Sequence, residues 1–255
     1  MAYNGFFNIE VTPTLSGVNA RTAFGNGDLV SDWILKTVPT KKAFRIIGVT
    51  VVERGTNGVN QQSNYELIFA SPDADGTVPN SLGTVNATVS GTSFYRHLVG
   101  NYKAEQSASQ LDNINVHTQT NQDGNHVDYL VVEPSRVVNS DGSVSFEGHG
   151  VNGKICIGVT SVSGAPDFGT AVALNQGEGQ AATTTETTLT TSGTDPRKAF
   201  SVGDVVKAGD DAEIGTITAL PGATSITVDK VGAALENSDE IVNVGPLTFI
   251  IHCEY

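Results

Sequence analysis

The sequence predicts an all-β chain: a jelly-roll-like antiparallel β-sandwich with a small β-barrel module inserted near the carboxyl end. Gly and Pro account for 28 and 9 of the 255 residues. Along most of the chain they recur within about a dozen residues, the spacing of short strands joined by tight turns. The segments between them are rich in Val, Ile, Thr and aromatic residues, which favour extended backbone. No segment has the apolar periodicity of a long helix.

The first 175 residues carry enough strand signals for two packed sheets. Segments 31–38 and 44–54 flank a turn at 39–42 and are predicted to form an antiparallel hairpin with one buried face. Long loops are predicted at 71–91 and 101–125, and many antiparallel strands joined by long loops are typical of a jelly roll. Further strands are predicted at 9–11, 65–70, 94–99, 127–132, 144–146, 155–162 and 170–174, and one or two helical turns around 104–111.

A composition change near residue 175 marks a second unit. A polar, Gly-rich connector at 175–182 is followed by short β-branched segments with Asp-Asp and Pro-Gly turns between them. Strands are predicted at 183–191, 204–206, 214–218, 225–228 and 240–244. Residues 178–245 are therefore predicted to form a small inserted β-barrel, near the lower size limit for an independent core. This unit is acidic, with ten acidic and four basic residues between 183 and 244.

The last segment, 245–255, is too apolar for a solvated tail. It is predicted to be a buried strand that returns to the first sandwich. The sandwich domain would then comprise residues 1–177 plus 246–255, with the barrel inserted between its last two strands.

The net charge of −13 bears on the class of partner. A chain this acidic repels phosphate backbones and anionic lipid, so neither nucleic acid nor a membrane surface is predicted as a partner. No segment approaches the ~20 apolar residues of a membrane span. No basic, apolar leader is recognised at the amino end either.

Two cysteines, Cys156 and Cys253, lie in apolar strand patterns and do not suggest a disulfide framework. Each is expected to be a small buried hydrophobe. They could pair only if their two strands are neighbours.

Motifs of catalysis are missing from the sequence. It contains no G-x-S-x-G, P-loop, H-E-x-x-H or C-x-x-C pattern, and its five histidines lack the spacing of zinc ligands. Segments 73–76 and 139–142 resemble parts of calcium loops but lack the further oxygen ligands, so turns are predicted there. The sequence thus predicts a protein that is not an enzyme, with no catalytic residue, metal or cofactor.

Three aromatic residues near the start, Tyr3, Phe6 and Phe7, surround Gly5. Two interpretations stay open. The rings could pack into the protein's own core as part of a first strand. Alternatively, they could belong to an arm that extends onto a neighbouring subunit, where aromatic rings are efficient interface anchors.

A resemblance rests on the second unit. Its Gly-Asp-x-Val motif at 203–206, the Gly-Thr-Ile strand at 215–217 and the Thr-Val pair at 227–228 resemble a small β module of virion proteins of tailed bacteriophages. The larger, acidic, jelly-roll-like part resembles capsid decoration (cement) proteins of such phages. The resemblance implies a non-enzymatic virion protein, assembled in the host cytoplasm, that binds the lattice of the major capsid protein. It also implies a homo-oligomer, with a trimer as the usual form.

A second class of function is a receptor- or glycan-binding module of a phage tail or fibre. Sugar binding usually uses exposed aromatic platforms, and the single tryptophan, Trp33, lies in a strand pattern that predicts core packing. The aromatic content of 7% favours the decoration role.

Overall fold

A computed structural model describes most of the chain: residues 5–38, 44–54, 63–73, 76–91, 93–105, 109–111, 114–120, 131–132, 136–138, 140–146 and 153–254. Strands make up 52% of these residues and helices 6%, so the predicted all-β class is confirmed. Tyr3 and the turn at 39–42 lie outside the described residues.

The described residues form eighteen strands and three short helices. The helices are α1 (Gly17–Ala20), a 3-10 helix (Ser93–Arg96) and α2 (Pro196–Ala199). The strands are β1 (Phe6–Val11), β2 (Leu29–Val38), β3 (Phe44–Arg54), β4 (Asn64–Ala70), β5 (Leu98–Ala104), β6 (Ser109–Leu111), β7 (Ile114–Thr120), β8 (Val131–Val132), β9 (Arg136–Val138), β10 (Val144–Phe146), β11 (Gly153–Ser163), β12 (Val172–Leu174), β13 (Thr187–Gly193), β14 (Val205–Ala208), β15 (Glu213–Gly222), β16 (Ser225–Val228), β17 (Glu240–Asn243) and β18 (Leu247–Glu254).

Two sheets build the sandwich. In the first the order is β1-β18-β3-β7-β6, with β8 also paired to β3; in the second it is β2-β11-β4-β5. The chain can be followed as one long antiparallel hairpin with four successive strand pairs. These are β1 with β18, β2 with β11, β3 with β7 and β4 with β5. The hairpin is rolled up so that β18 also pairs with β3 and β11 with β4. This is the strand order of a jelly roll.

The inner faces of the two sheets share one core. β18 shows why its sequence becomes a core strand, since its residues alternate between buried and half-buried from Leu247 to Glu254. At the centre, the ring of Tyr65 meets that of Phe249 edge-on, with centroids 5.5 Å apart, a contact worth about 1 kcal/mol beyond its burial. Other buried members of this core include Ile9, Val49, Val51, Leu67, Phe69, Ile155, Ile157 and Ile251.

A second, smaller core covers the outer face of the second sheet. The segment between β4 and β5 folds back over this face, and its Leu82 and Phe94 pack with Trp33 and Cys156. The Trp33 indole N–H donates to the carbonyl of Asn80 at 2.9 Å. The predicted packing of Trp33 in a core is therefore confirmed.

The inserted unit is a closed barrel of six antiparallel strands in the order β12-β13-β16-β15-β14-β17. It has a core of its own, which includes Leu189, Val206, Ile217 and Ile226. The barrel lies between β11 and β18 in sequence, as predicted, and β18 returns to the sandwich.

Hydrogen bonds and packing join the barrel to the jelly roll. The N–H of Leu15 donates to the Val244 carbonyl at 2.7 Å, and that of Gly17 donates to Oδ1 of Asp211 at 2.6 Å. Arg54, at the end of β3, forms an ion pair with Asp204. Val242 of the barrel strand β17 is buried in the core of the sandwich.

The predicted hairpin of 31–38 with 44–54 is wrong. Both segments are strands, but β2 pairs with β11, whereas β3 pairs with β18 and β7 in the other sheet. A local turn signal marks where a chain reverses. It does not say whether the next strand joins the same sheet or crosses the core, and the rolled hairpin requires the crossing.

Three predictions around the β4–β5 region are also wrong. Residues 94–96, predicted to begin a strand, belong to the 3-10 helix, because Phe94 turns inward to the outer core. At the described positions of the helical turns expected around 104–111, the chain forms the end of β5 and β6 instead. The predicted loop at 101–125 holds β6 and β7. This segment resembled a loop because its sequence is polar and lacks the apolar alternation of a half-buried strand. In the predicted loop at 71–91, the described residues contain no named strand.

The predicted strand at 170–174 belongs to the barrel instead of the sandwich. Observed as β12, it pairs with β13 and β17, and its Val172 and Leu174 are buried in the barrel core. The barrel therefore begins near Val172, and the connector at 175–182 lies within it. An apolar three-residue strand fits either core, so its assignment depends on which partners close the barrel.

Candidate functional site

The predicted anchors occupy two different environments. Phe7 is half-buried and packs edge-on against Phe44, with ring centroids 5.1 Å apart. Phe6 points the other way and is 67% exposed. The own-core interpretation therefore holds for Phe7, while Phe6 remains a ring available to a partner.

Phe6 begins an edge strand. All six residues of β1 pair with β18 on one side, and no described strand pairs with the other side. A free strand edge presents unpaired N–H and C=O groups to which another chain can add. Phe6 stands opposite Glu254, which pairs with Arg45 of β3, so a charged pair flanks the ring.

Behind this edge, a line of side-chain hydrogen bonds crosses four strands on the outer face of the first sheet. Asn8 Oδ1 lies 3.0 Å from Nδ1 of His252, whose Nε2 lies 2.8 Å from the hydroxyl of Thr50. Thr50 in turn bonds to the Thr118 hydroxyl at 2.6 Å. Because the Asn8 oxygen only accepts, Nδ1 donates to it, and in the neutral tautomer of the imidazole Nε2 then accepts from Thr50. The line ties β1 to the centre of the sheet, so the edge strand is well supported.

One buried carboxyl was not anticipated from the sequence. Glu53 on β3 is fully buried, and its Oε1 accepts a hydrogen bond from the Tyr65 hydroxyl at 2.8 Å. Burial raises the pKa of Glu53 from 4.5 to about 7. The pKa of Tyr65 is also raised, by burial and by the neighbouring carboxylate. A single acidic residue in an apolar strand pattern does not predict a buried carboxyl, because the alternation of a strand does not tell which face of the sheet is covered.

The barrel carries an open cleft of about 240 Å³. Its charged lining residues are Lys207, Glu213, Asp229 and Lys230. The cleft lies at a β-bulge where Ile214 is the extra residue between β14 and β15, a feature that often re-aims side chains. Because two basic and two acidic residues line it, the cleft selects neither sign of ligand.

Across the described residues, no group of three or more His, Cys, Asp or Glu side chains is placed to hold a metal ion. The predicted turns at the two calcium-like segments are confirmed where described. Gly76 N–H donates to the Asp73 carbonyl at 2.8 Å, and Asp141 Oδ1 accepts from the N–H of Ser143 at 2.9 Å. The helices in the described part of the chain are too short and too polar to cross a membrane.

The two cysteines are buried and free. Cys156 lies in the outer core of the second sheet, whereas Cys253 faces the core between the sheets from β18 of the first. Their strands are not neighbours, so the condition for a disulfide is not met. Burial raises the pKa of both thiols to about 12.

We expect neither thiol to react with Ellman's reagent in the native protein at pH 8, because the reactive thiolate is suppressed and the sulfurs are covered. Both should react in 6 M guanidinium. Two reactive thiols in the denatured protein with or without prior reduction would confirm the free state. Fast reaction of a native thiol would contradict the burial.

Comparison with models of known protein families gives no match, and comparison with curated proteins finds no related sequence.

Among the described residues, the exposed aromatic side chains are Phe6 and Tyr95. The sequence analysis singled out Phe6 but missed Tyr95. Alternation along the predicted strand 94–99 could have suggested that Tyr95 and Phe94 face opposite ways, but not which of them is exposed.

Proposed function

We propose that the chain is a non-enzymatic structural protein of a tailed-phage virion that decorates the head by binding the lattice of the major capsid protein. The observation that carries this proposal is the edge of β1 that no described strand covers, with Phe6 exposed at the start of that strand. Strand addition there would supply backbone hydrogen bonds, and the ring would supply an apolar anchor.

The layout of the molecule supports such a role. β18 leaves the barrel at Leu247 and ends at Glu254, opposite Phe6, so Phe6 lies about 23 Å along the strand from the barrel junction at ~3.3 Å per residue. If the protein attaches to the capsid near Phe6, the barrel points away from the capsid surface. The hydrogen bonds of Leu15 and Gly17 and the Arg54–Asp204 ion pair, which together form the interlocked junction between barrel and jelly roll, would hold the barrel rigidly in that position.

Lattice symmetry lowers the affinity that each contact needs. In the proposed homo-oligomer, binding of one copy to the lattice places the other copies next to their own sites. Their effective concentration there is far above the bulk value. A trimer fits this scheme. The acidic charge of the chain favours a basic partner surface.

Phe6 and Phe7 provide a matched pair of substitutions. Phe6→Ala should leave the unfolding free energy within about 0.5 kcal/mol of the wild type, because the ring is exposed. It should nevertheless reduce occupancy on heads at least about tenfold, as expected for a central anchor. Phe7→Ala should cost about 2–3 kcal/mol of stability, since it leaves a gap against Phe44.

The measurement is co-sedimentation with empty heads assembled from the major capsid protein encoded in the same genome, together with urea denaturation of each variant. Antibody labelling of particles adds the location. Wild-type binding by Phe6→Ala would contradict the β1 attachment. Label confined to the tail would contradict the decoration role itself.

A further inference from the structure

Tyr95 presents an aromatic ring that is 63% exposed. It follows Phe94 in the 3-10 helix, and the two rings meet edge-on with centroids 5.0 Å apart. Phe94 is buried and packs in the same way on Trp33 at 5.7 Å. The hydrogen bond from Trp33 to Asn80 anchors the end of this ladder. The Tyr95 ring is thus supported in place, and a ligand that binds it loses little entropy in ordering it.

A pair of polar side chains is attached to the turn that carries the ring. His97, two residues further on, places its Nε2 3.1 Å from Oδ1 of Asp73, and both side chains are partly exposed. The backbone of His97 is held on both sides: its N–H donates to the Phe94 carbonyl at 2.9 Å, and its carbonyl accepts from the N–H of Ser71 at 2.8 Å. The imidazole–carboxylate pair is therefore anchored on the same hydrogen-bonded turn, Phe94 to His97, that carries Tyr95.

We propose that Tyr95, His97 and Asp73 form a binding site for a neutral saccharide. The electron-rich face of the ring matches the C–H face of a hexopyranose. Hydroxyl groups both donate and accept hydrogen bonds, so a sugar can satisfy a carboxylate and an imidazole together. Asp73 and the net charge of −13 disfavour acidic sugars.

The size of the surface favours a sugar over a protein. Besides Tyr95, the large apolar side chains exposed on the described part of 71–98 are Val78 and Leu98. One ring and two aliphatic side chains fall well short of the ~800 Å² per partner of a stable protein interface. They are comparable with the footprint of one or two sugar rings.

The site is independent of the proposed attachment through Phe6. Leu98 begins β5, which is one edge of the second sheet. β1 lies beside β2, at the opposite edge of that sheet. Tyr95 is joined through Phe94 to the outer core of the second sheet, whereas Phe6 lies on β1 of the first sheet, so separate substitutions test the two rings.

The test is native affinity electrophoresis of the full chain in gels containing a neutral α-glucan, β-glucan, mannan or galactan, with hyaluronate as the acidic polymer. The wild type should be retarded by at least one neutral polymer and not by hyaluronate. Tyr95→Ala should weaken that binding by about tenfold or more, because it removes the aromatic contact. Tyr95→Phe should retain it, and Asp73→Asn should weaken it. Val78→Ala is the matched control, since it removes an exposed apolar side chain from the same loop region.

Trp33 fluorescence checks that each variant is folded, because the indole packs directly behind the site. Absence of retardation by every neutral polymer would overturn the proposal. Retardation by hyaluronate alone, or unchanged binding by Tyr95→Ala, would overturn it as well. If Tyr95→Ala instead lowers head occupancy without any sugar binding, the ring is a protein contact and the saccharide site is wrong. These results do not depend on whether Phe6→Ala detaches the protein from heads.

Discussion

Replacing Glu53 with Gln is expected to remove a loss of stability that the wild type suffers as the pH rises from about 4.5 to 8. The Glu53 carboxyl is fully buried on the inner face of β3, and Tyr65 and Ser63 are its hydrogen-bonding neighbours. No ion pair to Glu53 occurs among the described residues to compensate a negative charge. Burial accordingly raises its pKa from 4.5 to about 7.

The direction of the effect follows from proton linkage. Between pH 4.5 and 7 the folded protein holds a proton on Glu53 that the unfolded chain has released. The stability associated with this group is fully present below pH 4.5 and is lost as the pH rises through 7. A pKa difference of this size corresponds to about 3 kcal/mol.

Urea denaturation at pH 5 and pH 8 measures the effect. The unfolding free energy of Glu53→Gln relative to the wild type should be higher at pH 8 than at pH 5 by about 2–3 kcal/mol. The matched control is Glu10→Gln, which removes an exposed carboxylate from β1 and should change that difference by less than about 0.5 kcal/mol. A relative stability of Glu53→Gln that is the same at both pH values would show that Glu53 is not buried as a neutral acid.

Gly17→Ala is expected to separate the barrel from the jelly roll. Gly17 opens α1, and a methyl group on it would overlap the Ala208 carbonyl oxygen and come within 3.0 Å of the Asp211 nitrogen. These are backbone atoms of the barrel, so neither can move aside cheaply. The substitution would push α1 off the barrel and weaken the bonds that Leu15 and Gly17 donate to it.

We expect a loss of about 3 kcal/mol, at the upper end for overpacking. Calorimetry should show one transition for the wild type and two for Gly17→Ala, because the two cores would melt independently. Gly222→Ala is the control, since its methyl group would meet only the Ser225 hydroxyl, at an ordinary contact distance of 3.6 Å. A single, unshifted transition for Gly17→Ala would contradict the interlocked junction.

Several elements could be predicted from the sequence because their signals are local. The strand at 225–228 matches β16, and that at 240–244 differs from β17 by one residue. Both have β-branched residues at their centre, Ile226–Val228 and Ile241–Val242, and such residues favour extended backbone. The segment 245–255 is so apolar that it was expected to be buried, and it returns to the sandwich as β18.

Other features depended on tertiary structure. Whether segment 31–38 pairs with 44–54 or with β11 is decided by how the long hairpin rolls, and the turn between the two segments carries no information on that choice. The three-residue β12 has too little sequence to specify a core, so closure of the barrel assigned it.

The candidate sites show the same division. The sequence by itself determined only that Phe6 and Phe7 would point in opposite directions if they lie in a strand, because successive residues of a strand face opposite sides of a sheet. Only the packing of Phe44 decided that Phe7 is the covered one. In the same way, Glu53 becomes a buried acid and Tyr95 an exposed ring only when distant segments cover one face and leave the other to solvent. Burial depends on how the sheets assemble, and the sequence of a single strand does not determine it.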